Sequence, residues 1–263
     1  MRTPMYCLVI NLSTATARMS FMADQLNRLK IPFQRIDAFT PEMVMNYENS
    51  FEWSSWERPL KDTEKACFLS HVEAWKFAAA QDESTLILED DALLSYQTPS
   101  VLNAIDEIEG IEHVTLEVRT RKKIISKVGR AIGSKHQLLR LYQDRSGAAA
   151  YVISPSGARK LLARASKEVA LADALICKAY ELKSFQVEPA CGVQLDRAAD
   201  YGITNPFNTV SQIDSGKPTP ITKQASGFRA RRIGAQLRMA ARALRHVGIA
   251  ERREIRLDPA HFL

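Results

Sequence analysis

Apolar residues fall along this chain in two rhythms. Short solid runs occur at 6–12 (Tyr6-Cys7-Leu8-Val9-Ile10 before Asn11), 85–89 (around Leu86-Ile87-Leu88), 113–118, 138–142, 148–153 and 185–188. Such runs, bounded by polar residues, predict strands buried on both faces of a sheet. Between them the spacing changes to three and four. Met19, Met22, Leu26 and Leu29 mark an amphipathic helix over 16–30, and a further strand follows at 33–38. Helices are expected from Asp62 or Thr63 to about Gln81, near 98–108, from Pro155 behind a Ser154 cap, and from Asp173 to Lys183. Residues 43–59 read as irregular and aromatic, with Tyr47, Phe51, Trp53 and Trp56. Strands alternating with helices predict an α/β fold with a mostly parallel sheet covered on both faces.

One run ends unusually. Leu86-Ile87-Leu88 leads straight into Glu89-Asp90-Asp91 before apolar residues resume at Ala92. Side chains alternate along an extended segment, so Glu89 and Asp91 face one side and Asp90 the other. A strand end is where open α/β folds bind ligands. Three adjacent carboxylates are costly to bury unpaired. A hard cation such as Mn²⁺ or Mg²⁺, bridging to a phosphate, relieves their repulsion and gives them a use. For the triplet alone, a solvated acidic turn is the plain alternative.

Composition narrows the picture. With 263 residues and 46% apolar content, the chain can bury a full core in one domain plus an appendage. The sequence has no run of about 18 apolar residues, and the stretch Met5 to Leu12 is too short for a signal-peptide core. Cys7, Cys67, Cys177 and Cys191 lie far apart, which favours reduced thiols and a cytoplasmic setting. Asn205 to Thr222, carrying Pro206, Gly216, Pro218 and Pro220, reads as a linker. The expected organisation is therefore a domain over 1–204, a linker over 205–222 and a basic tail over 223–263. Residues 223–256 hold ten Lys/Arg against Glu251 and Glu254, a net of +8 where the whole chain is +6. The body is thus close to neutral, and no nucleic-acid partner is expected.

Several blocks recur in a known order: Cys7 to Leu12 followed by a polar loop ending in Arg18; Arg35-Ile36-Asp37-Ala38; Cys67-Phe68-Leu69-Ser70-His71; Leu88-Glu89-Asp90-Asp91; Ser146 to Ser154; Ala172-Asp173-Ala174-Leu175. Over roughly residues 5–195 this order resembles glycosyltransferase family 25, the bacterial lipopolysaccharide and lipooligosaccharide glycosyltransferases. One departure is Lys65-Ala66 before Cys67, where the family usually has an apolar residue and Gly. The resemblance implies a GT-A-type, Rossmann-like domain and an inverting, metal-dependent transfer. The donor would be a UDP-hexose, most readily UDP-galactose, and the acceptor a saccharide of lipopolysaccharide or a related surface glycan. Glu89 and Asp91 would hold the metal, and Asn11, Arg18, Asp37, His71, Asp90 and Gln194 would meet the donor.

Each candidate has a plainer reading. Asp37 is also a good turn former, and His71 is also a good core histidine, with Trp75 one helical turn on as core. Asp173, an acid among apolar residues, is the preferred general base but equally a helix cap; Glu117 is the rival base. The aromatics at 47–56 can form an acceptor lid or pin a loop. Arg119, Arg121, Lys122, Lys123 and Lys127 can face an anionic acceptor or simply water. In the tail, Ala230, Ile233, Leu237, Ala240, Leu244 and Val247 fall on one helical face amid six arginines. That pattern fits an anionic membrane surface, and equally a helix packed on the domain or on a second subunit. The competing functions are a nucleotidyltransferase-like metal enzyme, disfavoured by the lack of a Gly-rich phosphate loop with Lys, and an inactive membrane-associated scaffold.

Overall fold

The computed structural model describes residues 5–145, 147–205, 207 and 227–262. In chain order its elements are β1 (Tyr6–Asn11), α1 (Thr16–Arg28), β2 (Gln34–Asp37), α2 (Pro41–Val44), α3 (Asp62–Ala79), β3 (Thr85–Glu89), β4 (Ala92–Leu94) and α4 (Thr98–Asp106). There follow β5 (His113–Thr115), β6 (Glu117–Val118), β7 (Lys123–Ile132), β8 (His136–Gln143), β9 (Ala150–Ile153), α5 (Pro155–Ala165) and α6 (Ala172–Lys178). The chain finishes with β10 (Ser184–Glu188), β11 (Gly192–Gln194), α7 (Phe228–Arg245) and β12 (Ala250–Arg253).

Nine strands form one sheet in the order β12-β7-β8-β10-β5-β9-β3-β1-β2, and β4-β11-β6 form a small second sheet. The α/β class is as expected. The large sheet is mixed: β2-β1-β3 and β5-β10 pair in parallel, whereas β9 inserts antiparallel between β3 and β5. The parallel expectation therefore holds for the half that carries β1 and the acidic strand end. Alternation along β1, β3 and β9 sends Leu8, Ile10, Ile87, Tyr151 and Ile153 to a core shared with α3, α5 and α6. Cys7, Val9, Leu86, Leu88 and Val152 go to the opposite core under α1 and α4. Helices thus cover both faces, as the solid apolar runs require.

Local signals explain most boundaries. Ser154 caps α5 by accepting the Gly157 N–H at 3.1 Å, with Pro155 at the first position. At α3 the start is fixed instead by Glu64, which accepts the Lys61 N–H at 2.9 Å and is itself gripped by both Arg58 Nη atoms at 2.7 and 2.8 Å. The predicted strand 113–118 breaks at Leu116, whose carbonyl accepts from both Cys191 and Gly192, so its two halves join different sheets. Helix α6 stops at Lys178 rather than Lys183, because Glu112 draws in the Lys183 N–H at 2.9 Å and β10 begins next.

One expectation needs correction. The basic stretch after Arg119 is largely strand β7, and Lys123 is buried in it, bonded to Gln186 at 2.6 Å and Asp144 at 2.7 Å. Residues 227–262 also carry contacts to the body. Strand β12 pairs antiparallel with β7 at the edge of the large sheet, and Ile255, His261 and Phe262 are buried. Burial would raise the Glu188 carboxyl, but the Arg253 guanidinium and the Arg256 N–H hold it down at about 2. A charged fastener therefore ties the segment after α7 to β10. Of the expected linker, only Asn205 and Phe207 lie within the described residues.

Candidate active site

The acidic strand end separates its three carboxylates: Glu89 closes β3, and Asp90 and Asp91 lie in the turn that leads to β4 rather than in an extended segment. Glu89, in register with Ile87, emerges on the α3 side, where its Oε1 lies 3.1 Å from His71 Nε2. Asp90 turns to the α1 side, where it accepts from Asn11 Nδ2 at 2.8 Å and from Arg18 Nη1 at 2.7 Å. Asn11 ends β1 and Arg18 lies in the first turn of α1, so the β1–α1 junction is locked to the β3 end through Asp90. Asp91 follows in the turn before β4. Its backbone carbonyl takes the Leu195 N–H at 2.9 Å, and its Oδ1 is buried with no partner.

Behind Glu89 stands a chain of buried polar groups. Trp75 Nε1–H donates to the Tyr151 hydroxyl at 2.8 Å, and that hydroxyl lies 3.0 Å from His71 Nδ1. Trp75 can only donate, so the hydroxyl's own proton is best used on Nδ1, leaving the imidazole proton on Nε2 facing Glu89. Burial drives the His71 pKa down to about 4, so the ring is a neutral donor, positioned by two partners. Tyr151→Phe removes the shared hydroxyl and orphans two buried nitrogens. We expect it to cost about 1–3 kcal/mol in urea unfolding; unchanged stability would show that the chain of bonds does not form.

Burial pushes both Glu89 and Asp91 well above the usual carboxylate range, with neighbouring carboxylates adding to the effect: Asp173 and Asp90 for Glu89, Glu89 and Asp90 for Asp91. Gln194, at the end of β11, reaches Glu89 Oε2 at 3.4 Å, and its own Oε1 is buried and unpartnered. Hard oxygen donors, repelling and partly unsatisfied, fit a divalent cation such as Mn²⁺ or Mg²⁺. Cys67, His71 and Glu89 also bring ligand atoms within 4.8 Å of one another. That set is softer, and burial raises the Cys67 thiol well above its ordinary value, so it stays protonated.

Three cavities run together over this end of the sheet. The first, about 340 Å³, lies between β1, α3 and the acidic turn, walled by Ile10, Arg18, Phe39, His71 and Asp90 among others. The second, about 280 Å³, shares Arg18, Cys67, Glu89 and Asp91 with the first and adds Gln194 and Asp173. The third, about 700 Å³, shares Arg119, Leu171 and Asp173 with the second and is also lined by Arg232, Gln236 and Met239 of α7. The result is a trench with Glu89 and Asp91 at one junction and Asp173 at the next.

Asp173 sits in the first turn of α6 and is not its cap, since that helix begins at Ala172. Its Oδ1 accepts the Ala174 N–H at 2.6 Å, and burial raises its pKa against that bond and the nearby Arg119. Glu117 is displaced as a base. It is buried under Gly147 to Ala149, accepts the Ala149 N–H at 2.9 Å, and lines none of these three cavities. Burial pushes its pKa to about 8. Asp37 is exposed at the end of β2, paired with Arg35, and its neighbours Ala38 and Phe39 line the first cavity instead. Of the aromatic stretch, Tyr47, Phe51 and Trp53 pack against the α3 core and pin the loop, while Trp56 also walls the third cavity. Tyr151 escaped the sequence reading; a tyrosine in a buried aliphatic strand needs a partner for its hydroxyl, and that was the available signal. Arg232 carried no such signal, because its place depends on where α7 docks.

A model of glycosyltransferase family 25 (LPS biosynthesis protein) matches residues 5–176. A Haemophilus influenzae protein named as a glycosyltransferase is 28% identical over 158 residues, 59% of this chain and 55% of its own length. The lipooligosaccharide biosynthesis protein lic2B of Haemophilus influenzae is 26% identical over 71% of this chain and 74% of its own. The lacto-N-neotetraose biosynthesis glycosyltransferase LgtE of Neisseria meningitidis serogroup B is 28% identical, over 59% of each chain. The chain thus spans little more than half the length of two of these three relatives.

Proposed function

Because the chain belongs to glycosyltransferase family 25, we propose that it transfers a hexose, galactose in our reading, from a UDP-sugar to a saccharide acceptor of lipopolysaccharide or a related surface glycan. The observation that carries this is the trench. In this reading the first cavity would take the nucleotide, the middle one, with Glu89 and Asp91, the diphosphate, and the third, across Asp173, the acceptor.

The transfer would be a single inverting displacement. The acceptor oxygen forms a bond to the anomeric carbon as the bond from that carbon to the diphosphate oxygen breaks, its electron pair leaving with the UDP. The acceptor's proton passes to Asp173, whose raised pKa brings it toward the working range of a base. Arg18, held by Asp90 and lining the second cavity, would meet the leaving diphosphate. Glu89 and Asp91, with Gln194 beside them, would hold a Mn²⁺ or Mg²⁺ ion, which neutralises developing charge on the diphosphate. His71 acts on this site through its hydrogen bond to Glu89. Release of sugar from a panel of UDP- and GDP-hexoses, with and without Mn²⁺, tests the reading. UDP binding that ignores Mn²⁺, with no donor turnover, would favour the inactive scaffold.

Helix α7 bears on location. Its face containing Arg231, Ala235 and Arg242 docks on the body: Arg231 donates to the Trp56 and Ser54 carbonyls at 3.0 and 2.7 Å, and Ala235 is buried. The apolar stripe points the other way, with Ile233 57%, Leu237 65%, Leu244 72% and Val247 75% exposed. Arg229, Arg232, Arg238 and Arg245 are exposed around it. Among the described residues no helix is long and apolar enough to cross a membrane. A surface-lying helix with apolar residues between cations fits an anionic bilayer, each cation adding about 1 kcal/mol. The full chain should float with phosphatidylglycerol vesicles at low salt and sink at high salt. Ile233→Asp/Leu237→Asp/Leu244→Asp should stay unbound; equal flotation of variant and wild type would refute the docking.

A further inference from the structure

We infer that the acceptor taken by the third cavity is an anionic saccharide, with phosphate or carboxylate groups close to the accepting hydroxyl. This rests on the glycosyltransferase reading above and adds the acceptor's chemistry. The cavity, about 700 Å³, lies in the upper part of the range for ligand pockets, roughly 300–1,000 Å³. Besides Arg58, four guanidinium groups line it from three segments: Arg119 and Arg121 after β6, Arg145 after β8, and Arg232 on α7. None of the four has an ion-pair partner or a side-chain hydrogen bond among the described residues.

The other charges around the cavity are already matched. Arg58 grips Glu64, Lys178 pairs with Glu57, and Asp144 is held by the buried Lys123. Among the described residues that line the cavity, Asp173 is the one carboxylate outside an ion pair. Four like charges converging on one concavity repel each other, and concave walls concentrate their field. A neutral sugar would leave that repulsion in place. An anionic one removes it, and guanidinium forks match phosphate and carboxylate oxygens in pairs. For Arg121, Arg145 and Arg232 the donor's diphosphate would not supply this charge, because they line neither of the cavities that hold Arg18 and the acidic turn; Arg119 alone also lines the second cavity.

The test compares binding of a heparin-derived tetrasaccharide with that of neutral maltotetraose to the full chain, by calorimetry at physiological salt. The anionic probe should bind and the neutral one should bind at least about tenfold more weakly. Arg121→Gln/Arg145→Gln should weaken the anionic probe by about tenfold or more, given the strength of charge-assisted hydrogen bonds. Arg130→Gln/Lys135→Gln, which removes two exposed cations that do not line the cavity, should change it less than about threefold. Equal losses in the two double variants would mean diffuse attraction and overturn the inference, as would equal binding of the two probes. Mn²⁺-dependent UDP binding, measured in parallel, reports on the glycosyltransferase reading alone. It should be the same in all three proteins, and its absence from the wild type would defeat that reading whatever the tetrasaccharides do.

Discussion

Asp91→Asn should abolish transfer while the protein stays folded. Asp91 contributes a carboxylate whose Oδ1 is buried without a partner, next to Glu89 and facing two joined cavities. Replacing it with the neutral amide takes a formal charge and a hard oxygen donor from the site that balances the diphosphate. A loss of several kcal/mol of transition-state stabilisation corresponds to roughly 10³-fold or more in turnover. The fold should not suffer, because burial and the neighbouring carboxylates already disfavour the charged form there. Thermal unfolding should therefore be unchanged or shifted upward. Asp90→Asn should act differently: it weakens the tie from Asn11 and Arg18 and should be milder on turnover. Wild-type turnover by Asp91→Asn at saturating Mn²⁺ and donor would remove these carboxylates from the mechanism.

Asp173→Asn should lower turnover by roughly 10²–10⁴-fold, the usual contribution of a positioned base. Donor affinity should hardly move, because Asp173 lines the second and third cavities and is absent from the first. The pH profile carries a second signature. A base works deprotonated, so turnover should rise with pH through the Asp173 pKa and then level off. Burial lifts that pKa above the ordinary aspartate value, so the rising limb should lie above the pH at which exposed aspartates titrate. In Asp173→Asn the limb should vanish. Collapse of UDP binding in this variant would make Asp173 a donor or structural residue, and the base would have to be sought elsewhere along the trench, since Glu117 is walled off from it.

The features legible in the chain were those set by local periodicity. Solid apolar runs specify two-sided burial, three-and-four spacing specifies a helix face, and Ser154-Pro155 specifies a start; each depends on neighbours a few residues away. The same locality put Glu89 at a strand end on the side of Ile87, because successive side chains of a strand point to opposite faces. Asp90 and Asp91 lie beyond that end in a turn, where strand alternation no longer applies.

Long-range contact decided the rest. Glu117 and Asp173 look alike as acids set among apolar residues, yet one lies beneath Gly147 and the other opens onto the trench. Lys123 and Arg121 are two residues apart in one basic stretch; pairing of β7 with β8 and β12 buries the first and leaves the second exposed. The amphipathic pattern of α7 correctly predicted a helix and left open whether its apolar stripe meets the body or faces away from it. Ridges bearing Arg231, Ala235 and Arg242 meet carbonyls and aromatic rings of the body, so the apolar stripe is left facing solvent. Periodicity can say that a helix has two faces. Which face meets the body depends on groups up to 177 residues away, such as the Ser54 carbonyl that takes Arg231, and no local pattern encodes that.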